Sequence, residues 1–166
     1  SARTIVDTIT DLLGVPTSGV GLPVLYWRIN SGSWNNVQGT SLGSDQYSFT
    51  FGSGATNGDT VFYYTCAQDN SSNKNVTAEP ALGAGSFTSD PPAAGTAPTN
   101  PESYLVLLTF SGTKTVGSTG DFPNLTGDGG LFETLNNGAL TGNLLAEVQE
   151  DITEPGTHAL NEITTD

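Results

Sequence analysis

The chain has 166 residues and sets 17 Asp and Glu against four Lys and Arg, a formal net charge of −13. So anionic a chain repels phosphate backbones and anionic lipid surfaces, because binding either needs cations that displace counterions, and this excludes both as partners. Leu, Ile, Val and Phe make up about 23% of the residues and Gly with Pro about 18%, the balance of a folded, turn-rich protein.

The first hundred residues read as short strands separated by turns. Arg3-Thr4-Ile5-Val6-Asp7-Thr8-Ile9 is a β-branched run ending in polar residues. From Val24 to Ile29 the side chains alternate: Val24, Tyr26 and Arg28 face one side, Leu25, Trp27 and Ile29 the other. Ser31-Gly32-Ser33 makes a tight turn, and Trp34-Asn35-Asn36-Val37 follows as a short partner strand. Asp45 to Phe51 alternates strictly, with Tyr47, Phe49 and Phe51 on one face. Asn57-Gly58-Asp59 is a strong turn signal that launches the longest run, Thr60 to Gln68. Gly85-Ser86-Phe87-Thr88 closes the series. Strands spaced this closely, with no helical period between them, predict an all-β fold: an antiparallel, Ig-like β-sandwich over residues 1–92. The Cys…Trp…Cys spacing of antibody domains is absent, since Cys66 is the one cysteine; in its apolar run it reads as a small buried hydrophobe.

Residues 93–103 are rich in Pro, Ala and Thr and read as a linker. The texture then changes over residues 104–166. Tyr104 to Phe110 is nearly continuously apolar, the pattern of a strand covered on both faces. Gly117 to Phe122 is a polar turn. Leu131, Phe132 and Leu135 share one face of a short helix that Asn137-Gly138 stops. Leu144 to Gln149 and Asp151 to Thr153 return to strand. No apolar stretch approaches the roughly 20 residues of a membrane-spanning helix, so no membrane insertion is expected. Any export signal is expected to have been removed or to lie outside these residues.

The successive motifs GLPVLYWRINSGSW, YSFTFGSGATNGDTVFYYTCAQD and GAGSFTSDPP resemble an Ig-like module of very large Bacteroidetes-type secreted surface proteins. The stretch from Gly112 to Ile163 resembles the N-terminal cap and first rungs of the right-handed parallel β-helix that follows such modules, with a short plug helix at Gly130–Asn137. The resemblance implies export, often by the type IX route, and a place on the cell exterior as an adhesin, matrix component or filament. It implies partners among other surface-protein chains or copies of the same chain, with glycans as further ligands. It implies no catalytic residue over this stretch. It also implies O-glycosylation at Asp-Ser/Thr-apolar triplets, of which two occur, Asp7-Thr8-Ile9 and Asp59-Thr60-Val61; the candidate acceptors are Thr8 and Thr60.

The residues offer little catalytic chemistry. A nucleophile needs a base within reach, and the only His, His158, lies in a polar stretch and reads as a solvated loop residue. Glu147, Glu150, Asp151 and Glu154 form the densest acidic run, and solvated acids are the expectation over a glycosidase pair. No cofactor is expected. For Ca²⁺ the weak candidates are Asp69 and Asn73, in a run of alternating oxygen-bearing side chains that lacks the central Gly and closing Glu of a calcium loop; Asp121 and Asp128, in Gly-rich turns, are equally weak. Among aromatics, Trp27 and Trp34 could stack on sugar rings, against the expectation that Trp27 belongs to the core. Together these point to a non-enzymatic structural or adhesive module, with a carbohydrate-binding module, or the non-catalytic N-terminal part of a β-helix polysaccharide-active enzyme, as alternatives.

Overall fold

The computed structural model describes residues 2–162. Twelve strands and one helix follow in chain order: β1 (Arg3–Thr8), β2 (Val24–Ile29), β3 (Asn35–Gln38), β4 (Thr40–Gly43), β5 (Gln46–Phe51), β6 (Thr60–Gln68), β7 (Val76–Glu79), β8 (Gly85–Thr88), β9 (Ala93–Thr96), β10 (Glu102–Leu105), β11 (Leu108–Val116), α1 (Leu131–Asn136) and β12 (Gly138–Val148). The chain divides into two units, Ser1–Val106 and Leu107–Asp166.

The first unit is built of antiparallel sheets. One has the order β1-β5-β4; the other has the order β10-β6-β2-β3, with β7 also paired to β6. Their inner faces meet over one core. From β5 come Tyr47, Phe49 and Phe51, all almost fully buried, and from β2 and β6 come Leu25 and Val61. The alternation in the sequence thus decides which side chains go in: Leu25, Trp27 and Ile29 pack into this core. The turns are those expected. Gly32 donates its N–H to the Ile29 carbonyl at 2.9 Å, closing β2 onto β3. Gly58 takes φ +86°, a conformation that costs glycine no Cβ clash.

A further small sheet, β8 paired with β9, covers part of the outer face of the β6 sheet. Ala84, Ala94 and Ala97 pack there against Tyr64, Cys66 and Ala78, and Tyr26 donates its hydroxyl to the Pro92 carbonyl at 3.2 Å. A linker was expected over residues 93–103; the structure instead has β9 and β10, both paired within the first unit. Composition misleads here because the small Ala side chains lie close against aromatic rings, a packing role that looks like linker chemistry in sequence.

The apolar run from Tyr104 to Phe110 is likewise not one covered strand. It divides: β10 pairs with β6, and β11 begins the second unit. Leu105, Leu107 and Leu108 are 54%, 39% and 37% exposed, so the both-faces-covered expectation fails. The strands β4 and β7 had no counterpart in the sequence pattern; at four residues each, they are too short to show a period.

In the second unit, β11 and β12 pair in parallel, with a register shift between Phe110 and Gly112. The connection between them carries α1, which buries Leu131 and Leu135 against Phe110 and Val116. The helix stops at Asn137, and β12 starts at once on Gly138, so the strand is longer than the expected Leu144–Gln149. Asp151–Thr153 forms no strand.

Candidate functional site

The two tryptophans part company. Trp27, on the inner face of β2, belongs to the sandwich core. Trp34, just ahead of β3, stands on the outer face, half-buried, its ring meeting Tyr64 edge-on at 4.9 Å. Tyr64 is in turn stacked on Tyr26 at 5.1 Å with the planes 13° apart. These two tyrosines are direct cross-strand partners in the β2–β6 register, a placement that favours ring contact. Burial raises both phenol pKa values.

Beside them Arg28 lies directly opposite Phe62 on β6. The β2–β3 register, which pairs Trp27 with Asn35, sets Trp34 on its other flank. The guanidinium carbon is 4.7 Å from the Trp34 ring centroid and 5.4 Å from that of Phe62, within cation–π range. Trp34 was singled out in the sequence; Phe62 and the part played by Arg28 were not, because register, and not spacing along the chain, joins them.

A groove of about 440 Å³ opens on the inner side of β1, lined by Asp7, Thr8, Tyr63, Thr65, Glu79 and Glu102 among others. Asp7 occupies a core-facing position of β1, between the half-buried Ile5 and Ile9. Its carboxylate accepts a hydrogen bond from the Thr65 hydroxyl, and burial raises its pKa above the ordinary aspartate value. Thr8, on the opposite face of the strand, is exposed. Thr60 is half-buried, and its N–H donates to the Asn30 side chain at 3.0 Å. The Asp59 of its triplet is engaged too, accepting from Thr56 and Asn30, which hold its carboxyl below the usual range.

Asp69 is 7% exposed and serves as a loop clasp. It accepts from Ser71 N and Oγ at 3.1 and 2.7 Å and from Asn75 N and Nδ2 at 2.9 and 2.7 Å, and these bonds lower its pKa. Asn73 is exposed, and no hydrogen bond joins it to Asp69. Among the described residues, no group of three or more His, Cys, Asp or Glu is placed to hold a metal ion. Cys66 is fully buried, and burial pushes its thiol up to about 12.

The acidic run of the second unit is exposed, as expected, and two of its carboxylates also accept hydrogen bonds from loops. Glu150 accepts from Ser118 N, and Glu154 from Leu125 N at 2.9 Å and Thr126 N at 2.8 Å, which lowers both pKa values. The two carboxylates reach different loops, and Glu147 and Asp151, exposed like them, lie apart from those contacts. Asp121 clasps Thr115 N at 2.9 Å in the same manner. His158, expected in solvent, is half-buried with Nε2 3.1 Å from Asp128 and 3.7 Å from Glu133. The misplacement has a simple cause: residues 149–161 hold no regular element, and only their contacts with distant loops fix them.

Searches against protein-family models and against curated proteins match nothing to this chain.

Proposed function

We propose that the chain is a non-catalytic structural and adhesive module of an extracellular bacterial surface protein or filament, an Ig-like sandwich followed by the capped opening of a right-handed parallel β-helix. The observation that carries this reading is the second unit's parallel β11–β12 pair with α1 packed on its core. Among the described residues the pair has no third strand, and apart from the Val116–Phe122 bridge at the end of β11 its outer edges are open to further pairing, while Leu145 and Val148 of β12 are 62% and 48% exposed. Further rungs, other surface-protein chains or copies of the same chain would cover them. Light scattering at rising concentration tests this: association that Leu145→Lys reduces is expected, and a compact monomer at every concentration overturns it. Incubation with pectate, alginate and glycosaminoglycan polymers should yield no cleavage product; turnover of any of them would show an enzyme instead.

A second reading, a carbohydrate-binding module, draws support from Trp34 on the outer sheet face beside Arg28. The O-glycan sites belong to the first reading. Exposure favours Thr8 over Thr60, so intact-mass and peptide mapping of protein from its native host should find a glycan on Thr8 more often than on Thr60.

A further inference from the structure

Cross-strand order on the outer face of the β6 sheet puts Trp34, Arg28, Phe62 and Ser103 in one row, with Asn36, Tyr26 and Tyr64 in the next. Arg28 is the centre of the first row. Rings on both flanks hold its guanidinium, and a guanidinium so placed keeps its N–H fork for an acceptor lying in its own plane. Among the described residues, none gives it a hydrogen-bond acceptor. Nε is buried without a hydrogen-bond partner, and among the described residues no carboxylate comes within ion-pair distance of Arg28. Nε is shut away from solvent, so a ligand would meet the guanidinium at its two terminal nitrogens, and a bidentate carboxylate is the group whose geometry answers that pair of donors.

The neighbours narrow the ligand. Half-buried aromatic rings on either side of the fork offer faces to a flat, C–H-rich ring, and the Ser103 hydroxyl and Asn36 amide supply neutral polar contacts in the same two rows. The net charge of −13 opposes a polyanion, whose many charges meet the field of the whole protein, but opposes a single carboxylate far less. We infer that the Trp34–Arg28–Phe62 row is a binding site for a saccharide bearing one isolated carboxylate, a uronic acid residue, with Arg28 taking the carboxylate and the rings taking the sugar face. This inference rests on the carbohydrate-binding reading and is independent of the scaffold reading.

Titration of the whole protein with methyl β-D-glucuronide, followed by tryptophan fluorescence and by NMR shifts, tests it. Methyl β-D-glucoside, which differs only at the carboxylate, is the control, and acetyl-Gly-Glu-Gly amide represents a peptide source of the same group. Saturable glucuronide binding with a Kd of about 1 mM is expected from a ligand of this size. The glucoside and the peptide should bind at least tenfold more weakly. Arg28→Gln should weaken glucuronide binding at least tenfold with the circular dichroism unchanged, and Arg28→Lys, which keeps the charge but loses the fork, should not restore it. Equal affinity for glucoside and glucuronide, both lost on Trp34→Ala, would sink the inference and leave the carbohydrate-binding reading standing. Preference for the peptide, glucuronide binding indifferent to Arg28→Gln, or no saturation by either sugar would overturn the inference, and the last outcome would remove the carbohydrate-binding reading as well.

Discussion

The Asp7 carboxylate meets the Thr65 hydroxyl at 3.4 Å on the inner side of an edge strand, where the alternation of β1 would otherwise place an apolar side chain. An inward charge at an edge is a recognised protection: a second chain pairing with β1 would bury that carboxylate more deeply. It has a cost at neutral pH. Burial raises the folded pKa of Asp7 above its ordinary value, so the folded state binds the proton more tightly than the unfolded chain. Stability from this group therefore falls as pH rises from the unfolded value of 3.8 through the raised folded value. Asp7→Val is expected to raise stability at pH 7 by up to about 1 kcal/mol while increasing self-association. Urea unfolding and light scattering on the same samples check both halves.

The loop clasps behave in the opposite sense. Hydrogen bonds to Asp59, Asp69, Asp121, Glu150 and Glu154 lower their folded pKa values, so their contribution is complete above the unfolded values and is lost as pH falls through the lowered ones. Acid unfolding should begin below the ordinary glutamate value of 4.5. The double variant Glu150→Gln, Glu154→Gln should flatten that acid limb in the second unit. Amide hydrogen exchange of residues 118, 125 and 126 against pH reads it directly, and an unchanged limb would dissociate these carboxylates from loop stability.

The two tryptophans provide a clean contrast. Trp27→Ala removes a large side chain from the sandwich core and should cost about 3–5 kcal/mol. Trp34→Ala strips one ring from a half-exposed face and should cost closer to 1 kcal/mol. Denaturant melts of the pair decide whether Trp34 stands free of the fold, which any binding role for it requires.

Cys66 should be inert in the native protein. Its thiol is fully buried beneath the β8–β9 pair and pushed up to about 12, so at pH 8 almost no thiolate is available. Thiol reagents should modify it only at the rate of opening, and Cys66→Ser, which buries a hydroxyl in its place, should destabilise by about 1–3 kcal/mol. Rapid labelling without denaturant would show that the β8–β9 cover opens readily.

Much of the first unit was legible in the residues. Alternation in β2 and β5 announced both the strands and the faces they bury, because a pleated strand sends successive side chains to opposite sides, and β6 was legible as the longest run of Val, Phe and Tyr. The helix of the second unit was legible from Leu131, Leu135 and the Asn137-Gly138 stop. The Pro/Ala/Thr stretch and the run after Tyr104 were misread because local composition records how apolar a segment is, not which sheet takes it: the first stretch became β9 and β10, and the second was shared between two units.

The sequence by itself determined that the first unit is built of antiparallel β-strands, which side chains of β2 turn inward, and how lopsided the charge is, since these depend on neighbours along the chain. Only the tertiary structure decided that Asp69 is a clasp, that His158 sits between Asp128 and Glu133, and that Arg28 lies between two rings with no acid beside it among the described residues. Those relationships come from cross-strand register and loop return, where residues tens of positions apart are brought within a few ångströms and no local pattern marks the meeting.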